Sequence, residues 1–175
     1  MSQSQKNQEF PQYSPSNYLS LVSVTGVNYE KLRDLLATGK WKEADEETER
    51  CMLKVARREK DGWLRIEDIN NFSCEDLRTI DQLWIKYSNG KFGFSVQKQI
   101  YQNLGGTRQY DSQIWEAFCD KVGWRQRGKW LYWDDLTFCL DTDSTGHLPV
   151  GLRPKWVRDY GIKSFLVQRL VDSNI

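Results

Sequence analysis

"YEKLRDLLATGKWKEADEET", residues 29–48, sets the character of the whole chain. Leu32, Leu35 and Leu36 recur at spacings of three and four, so they share one face of a helix. Gly39 stands where a left-handed residue stops such a helix. A second helix is expected over about 41–60, with Trp41, Ala44, Thr48, Cys51, Met52 and Val55 as its apolar stripe. Glu43, Asp45, Glu46, Glu47 and Glu49 crowd its first turns, where acids favour the positive end of the helix dipole. These carboxylates read as a solvated face.

The same period recurs downstream. Ser73 reads as an N-cap with Asp76 three places on, opening a helix over about 74–88. Its buried face is expected to hold Leu77, Ile80, Leu83, Trp84 and Tyr87. Asn89-Gly90 predicts a turn. Ser95 reads as the cap of a helix over 96–104, which Gly105-Gly106 closes. Further helices are expected over 112–122, stopped by Gly123, and over about 155–171, with Ile162, Phe165, Leu166 and Leu170 packed. "GWLRIEDINNF" (62–72) reads as a connecting loop with a single helical turn. No repeat of fixed period appears and strand signals are scarce. The fold class is therefore all-α, a single domain of several short helices over 28–175. Residues 1–27, rich in Ser, Gln, Asn and Pro, read as a flexible leader, with "YLSLVSV" (18–24) as a small patch able to dock.

The bulk numbers exclude several function classes. A formal charge of +1, from 25 basic and 24 acidic side chains, lacks the excess that nucleic-acid binding leaves. No run of 18 apolar residues predicts a membrane-spanning helix. "MSQSQKNQEF" has no apolar core and is no secretory signal. Cys51, Cys74, Cys119 and Cys139 form no CxxC pair and read as reduced core thiols of a cytosolic protein. The single histidine, His147, has no nucleophile near it in sequence and is expected to tie down its loop by hydrogen bonds from the ring to backbone groups. Asp81, among Ile80, Leu83 and Trp84, is expected to be part-buried and paired with Arg78 or Lys86. The glycines at 90, 93, 105 and 106 match no phosphate loop. No catalytic residue and no metal-ligand set is visible.

"GKWLYWDDLTF" (128–138) is the strongest candidate site. Trp130 and Trp133, three apart, would share a face on a short helical turn. Either the rings cover helix ends, or they form a flat apolar wall for a planar ligand. In the second reading Arg125, Arg127, Lys129, Arg153, Lys155 and Arg158 could meet anionic groups at its rim. The planar fork of arginine suits carboxylates.

Several stretches occur in one order: "YEKLRDLLATGKWKEADEET", "DLRTIDQLWIKYSNGKFGFSVQKQIY", "VGWR", "KWLYWDDLTF" and "GHLP". In these the sequence resembles the Genomes-Uncoupled-Four (GUN-four) family, tetrapyrrole-binding regulators of oxygenic phototrophs, over about residues 28–172. The resemblance implies an all-helical fold like a cupped hand whose concave face binds protoporphyrin IX or magnesium-protoporphyrin IX, and in some members a bilin. It implies no catalytic cofactor and no bond chemistry. The implied partner is the large porphyrin-handling subunit of magnesium chelatase, the first committed enzyme of chlorophyll synthesis. A monomer is expected, in the cytoplasm or the plastid stroma, with at most peripheral membrane contact. The implied site residues are Leu64, Ile66, Ile69 and Phe72 on one loop and Trp130 and Trp133 on the other. A basic residue after the GHLP motif is matched by Arg158, with Arg153 or Lys155 as substitutes. The chain departs from the family pattern at Ser73, where proline is common, and at Thr145, where a basic residue is frequent. Its leader is too short for the helical bundle that precedes the domain in some members.

Overall fold

The computed structural model describes residues 21–151 and 161–171. The helices are α1 (Glu30–Ala37), α2 (Trp41–Val55), α3 (Ile66–Asn70), α4 (Cys74–Tyr87), α5 (Phe94–Asn103), α6 (Ser112–Lys121) and α7 (Gly161–Val171). A two-stranded hairpin, β1 (Arg125–Gln126) and β2 (Lys129–Trp130), and a 3-10 turn over Trp133–Asp135 lie between α6 and α7. α1 packs on α2 and α4, α5 on α6 and α7, and α3 on α7. The fold is all-α, as expected. Arg153, Lys155 and Arg158 lie outside the described residues, as do the side chains of Ile162 and Phe165; Leu166 and Leu170 are buried.

The helix ends follow their local chemistry. Gly39, at φ +67°, ends α1 as expected. Ser73 caps α4, its hydroxyl accepting from the Asp76 amide at 3.2 Å. Asp111 caps α6 through the amides of Gln113 and Ile114. Two expectations fail for reasons that composition hides. α2 stops at Val55 rather than near 60, because Arg57 takes a left-handed conformation (φ +56°) and the Arg58 amide bonds back to Leu53 O at 2.8 Å. That closing geometry usually falls to glycine or asparagine. α5 begins at Phe94, and Ser95 is not its cap. The Asp81 carboxylate, reaching over from α4, accepts from the Ser95 amide at 2.9 Å. Gly93, at φ +139°, has no room for a Cβ beside that carboxylate. Asp81 is buried as expected, but it serves α5 instead of pairing with Arg78 or Lys86. Burial raises its carboxyl above the ordinary value, against the bonds from Ser95 and Phe94.

Aromatic packing makes two nests. Trp41, Trp84 and Phe92 meet at centroid distances of 5.7–6.4 Å between α2 and α4. Tyr101, Trp115, Phe118 and Trp124 meet at 5.2–6.4 Å around α5 and α6. Five of the seven tryptophans among the described residues are buried, so most of these serve the core rather than a surface. The cysteines divide. Cys51 and Cys119 are core thiols, with Cys51 pushed up to about 12 by burial and the nearby Glu47 carboxylate. Cys74 is exposed at the start of α4, and Cys139 is half-buried. Two of the four therefore lie outside the core, because the first turn of α4 and the aromatic loop hold them at the surface.

Residues 21–28 pack along α4. The Thr79 hydroxyl donates to Val22 O at 2.7 Å, and Ser23 and Tyr29 both donate to Asp76 Oδ1. Asp76 is fully buried. Burial alone would raise its carboxyl, but the hydroxyls of Ser23, Tyr29, Ser73 and Thr25 outweigh it and hold the group below its ordinary value. A carboxyl whose folded value lies below its unfolded one stabilises the fold fully above about pH 4 and loses that contribution as the pH falls further. Urea unfolding should show the midpoint dropping below about pH 4, and dropping less steeply in Asp76→Asn; equal acid slopes would exclude this role.

Candidate functional site

The aromatic loop is held from beneath by α2. Asp45, only 1% exposed, directs one carboxylate oxygen at the Trp133 indole N–H (2.8 Å) and the other at the amides of Val150 (2.6 Å) and Gly151 (3.2 Å). Trp133 is 5% exposed, lies 4.8 Å from the Phe138 ring, and is covered by the Lys42 ammonium at 4.5 Å. Lys42 also pairs with Asp134 at 3.3 Å. The expected solvated face of α2 is thus corrected at Asp45 and Glu47, both buried. Glu47 lies between Lys31 (2.8 Å) and Arg50. The signal for Asp45 was its position four residues after Trp41 and three before Thr48, on the apolar stripe itself.

Trp130 and Trp133 do not share a helical turn. Trp130 ends β2 and Trp133 opens the 3-10 turn. The intervening hairpin is a two-residue connection with positive φ at Arg127 (+49°) and Gly128 (+76°), which suits the right-handed twist of its strands. The Leu131 amide returns to Trp124 O at 3.1 Å. Trp130 is half-buried and Tyr132 is 40% exposed. Arg125 is occupied: its guanidinium bonds Asp120 (2.8 Å) and Glu116 (2.9 Å), with its carbon 5.8 Å from the Trp130 ring centre. It is not a rim cation open to a ligand, whereas Arg127 and Lys129 at the hairpin tip are exposed.

The 62–72 segment forms one helical turn, as expected. Asp68 caps it by accepting from the Arg65 amide at 2.9 Å. Leu64, Ile69 and Phe72 point into the core, with 2%, 0% and 5% exposure. The outward apolar side chains are Ile66 and Trp63. Trp63, half exposed, lies under the Arg58 guanidinium at 5.2 Å, and Arg58 is braced by Asp61 and Asp68. The expected set omits Trp63 and Tyr132, the exposed rings of these two loops. α3 is held through α7, where Arg169 donates to Asn70 O.

The GHLP segment is a buried hub. His147 Nδ1 donates to Val122 O at 2.6 Å, as expected of a loop-binding histidine. Burial lowers its pKa, against the bond to Val122 O and the nearby Asp45 carboxylate. Its own carbonyl accepts from Trp124 Nε1 at 2.8 Å, and Gln97 donates to Gly146 O and Pro149 O. A separate groove of about 650 Å³ opens between α1 and α2, lined by charged side chains including Lys31, Lys40, Glu47, Arg50 and Lys54. None of the expected site residues lines it. Among the described residues there is no cluster of metal-ligating side chains, and no helix long and apolar enough to cross a membrane.

A family model described as GUN4-like matches residues 22–164. An uncharacterized protein, ycf53, of Porphyra purpurea is 34% identical over 138 residues, which are 78% of this chain and 55% of that protein. The chloroplastic tetrapyrrole-binding protein of Arabidopsis thaliana is 32% identical over 133 residues, 72% of this chain and 49% of that protein. The chain thus spans about half the length of the curated relatives it matches. A solved structure of GUN4 from Chlamydomonas reinhardtii superposes with a TM-score of 0.70 at 30% identity, covering 89% of this chain and 94% of that one.

Replacing Asp45 with alanine strands three buried donors. The expected cost is about 3 kcal/mol or more, a Tm lower by roughly 6–12 °C. Glu43→Ala, on the exposed side of the same helix, should change stability by less than about 0.5 kcal/mol. Thermal melts of the two variants give the comparison, and similar values would remove Asp45 from this role.

Proposed function

The chain belongs to the GUN4-like family, and from that membership we propose that it binds a tetrapyrrole, protoporphyrin IX or magnesium-protoporphyrin IX, as a non-catalytic regulator of magnesium chelatase. The observation that carries the reading is the match of the family model across nearly all described residues, joined by similarity to a protein named for tetrapyrrole binding. The local geometry supports it. Trp130 and Tyr132 on one anchored loop, and Trp63 and Ile66 on another, offer exposed or half-exposed ring and aliphatic surface. In this reading Trp133, Leu64, Ile69 and Phe72 hold the two loops in shape from within. Arg158, Arg153 or Lys155 would meet the propionates.

A porphyrin is a rigid apolar plate with two carboxylates on one edge, so it loses little internal freedom on binding. At about −0.3 kcal/mol per atom over roughly 40 heavy atoms, a drug-sized ligand reaches about −12 kcal/mol, or nanomolar affinity. An open cup covers one face less completely, so that value is an upper guide. A central magnesium needs one axial ligand and water can supply it. The regulatory part of the proposal is action on the large porphyrin-handling subunit of the chelatase, in the cytoplasm or plastid stroma.

Titration of the full chain with magnesium-protoporphyrin IX should give saturable tryptophan quenching and a shifted Soret band. No saturation up to high micromolar ligand would overturn the binding. Trp130→Ala should weaken binding by about 1.5–3 kcal/mol if the ligand covers that ring. Trp133→Ala should instead lower the melting temperature, since it empties a buried site. Added to a chelatase assay, the chain should raise magnesium insertion; no effect, or saturable binding of a linear bilin alone, would turn the reading to a signalling module.

A further inference from the structure

We propose that Arg125 is a positioning residue for tetrapyrrole binding, clamping the half-buried indole of Trp130 in the orientation that a flat ligand meets. The inference rests on the binding reading above. Arg125 and Trp130 are paired residues of the hairpin, directly across from one another in register. Cross-strand partners in that position project on the same side of the ribbon and interact. Here the guanidinium carbon lies 5.8 Å from the ring centre, within cation–π range.

The guanidinium is itself fixed. Its two terminal nitrogens reach Asp120 Oδ2 at 2.8 Å and Glu116 Oε2 at 2.9 Å, one turn apart on α6. α6 in turn is locked by Trp115 and Phe118, which pack with Trp124 one residue before the hairpin. The chain of support therefore runs from the aromatic nest through two carboxylates and one guanidinium to one indole. Arginine suits the post because its planar fork binds two oxygens while its face stays free for a ring. A lysine ammonium offers a single point of charge.

The hairpin needs such a clamp. With two residues in each strand it has almost no stability of its own. The backbone bond from Leu131 to Trp124 fixes where β2 leaves, but not the tilt of the ring. The Arg125 side chain is 18% exposed, so it acts from within the fold and not as a partner for propionates. Rigid placement of a contact ring before the ligand arrives removes an ordering cost from binding.

The test is a double-mutant cycle read by Soret titration with magnesium-protoporphyrin IX. Arg125→Gln should weaken binding about five-fold in the natural background, the size of one partly buried cation–π contact. In the Trp130→Ala background it should have no further effect. In a Trp63→Ala background it should keep its full five-fold effect. Arg125→Lys should fall between the natural chain and Arg125→Gln, and melting temperatures confirm that each variant is folded. An equal loss with and without Trp130, or no loss in the natural background, overturns the clamp. Unchanged affinity in Trp130→Ala alone also overturns it while leaving tetrapyrrole binding intact. Absence of binding by the natural chain is a separate failure, of the functional reading itself.

Discussion

One buried carboxylate joins segments that lie far apart along the chain. Asp45 sits inside α2, yet it accepts from an indole 88 residues later and from two amides more than 100 residues later. It ties the loop that carries Trp133 to the segment that leaves GHLP, where apolar packing by itself would set proximity but not direction. A desolvated carboxylate with fixed donors sets both. The cost of burying a charge is met by hydrogen bonds to both oxygens and not by a salt bridge, since Lys42 on the same helix faces Asp134 and the rings.

The tryptophan excess divides the same way. Trp84 donates to Thr48, Trp124 to His147 O and Trp133 to Asp45, so each of these indoles brings a polar handle to a particular acceptor in the core. Leucine at these positions would fill volume without naming a neighbour. The same residue type therefore builds the scaffold and, at Trp63 and Trp130, supplies what the scaffold presents.

Local chemistry made most of the fold readable. Gly39, Ser73 with Asp76, Asn89-Gly90 and Gly123 mark ends where the deciding residue is next to the event. The failures are at ends decided from a distance or by an unusual resident. Arg57 accepts a left-handed conformation without being glycine, and the start of α5 is capped by Asp81 from another helix. The hairpin escaped notice because two-residue strands are too short to show a period. In the two candidate loops the sequence shows where apolar side chains cluster but not which way each one turns. Leu64, Ile69, Phe72 and Trp133 turn inward, while their neighbours Trp63, Ile66 and Tyr132 turn outward. Periodicity cannot resolve that in loops of a single helical turn, because orientation there is set by tertiary bonds such as Arg58 to Asp68 and Asp45 to Trp133.

The consequence concerns how such a surface can be adaptable in ligand yet firm in shape. The two indoles that turn outward from the loops each lie beside a braced partner: Trp63 under Arg58, which Asp61 and Asp68 hold, and Trp130 by Arg125, which Glu116 and Asp120 hold. The loops differ in sequence, length and supporting helix, but both set an arginine with two carboxylates behind an indole. Both arginine side chains are mostly buried and already paired with two carboxylates each. Under the proposed function, stacking on the ligand's ring and capture of its acids would then fall to different side chains. Changes in one can retune the other only through the scaffold they share.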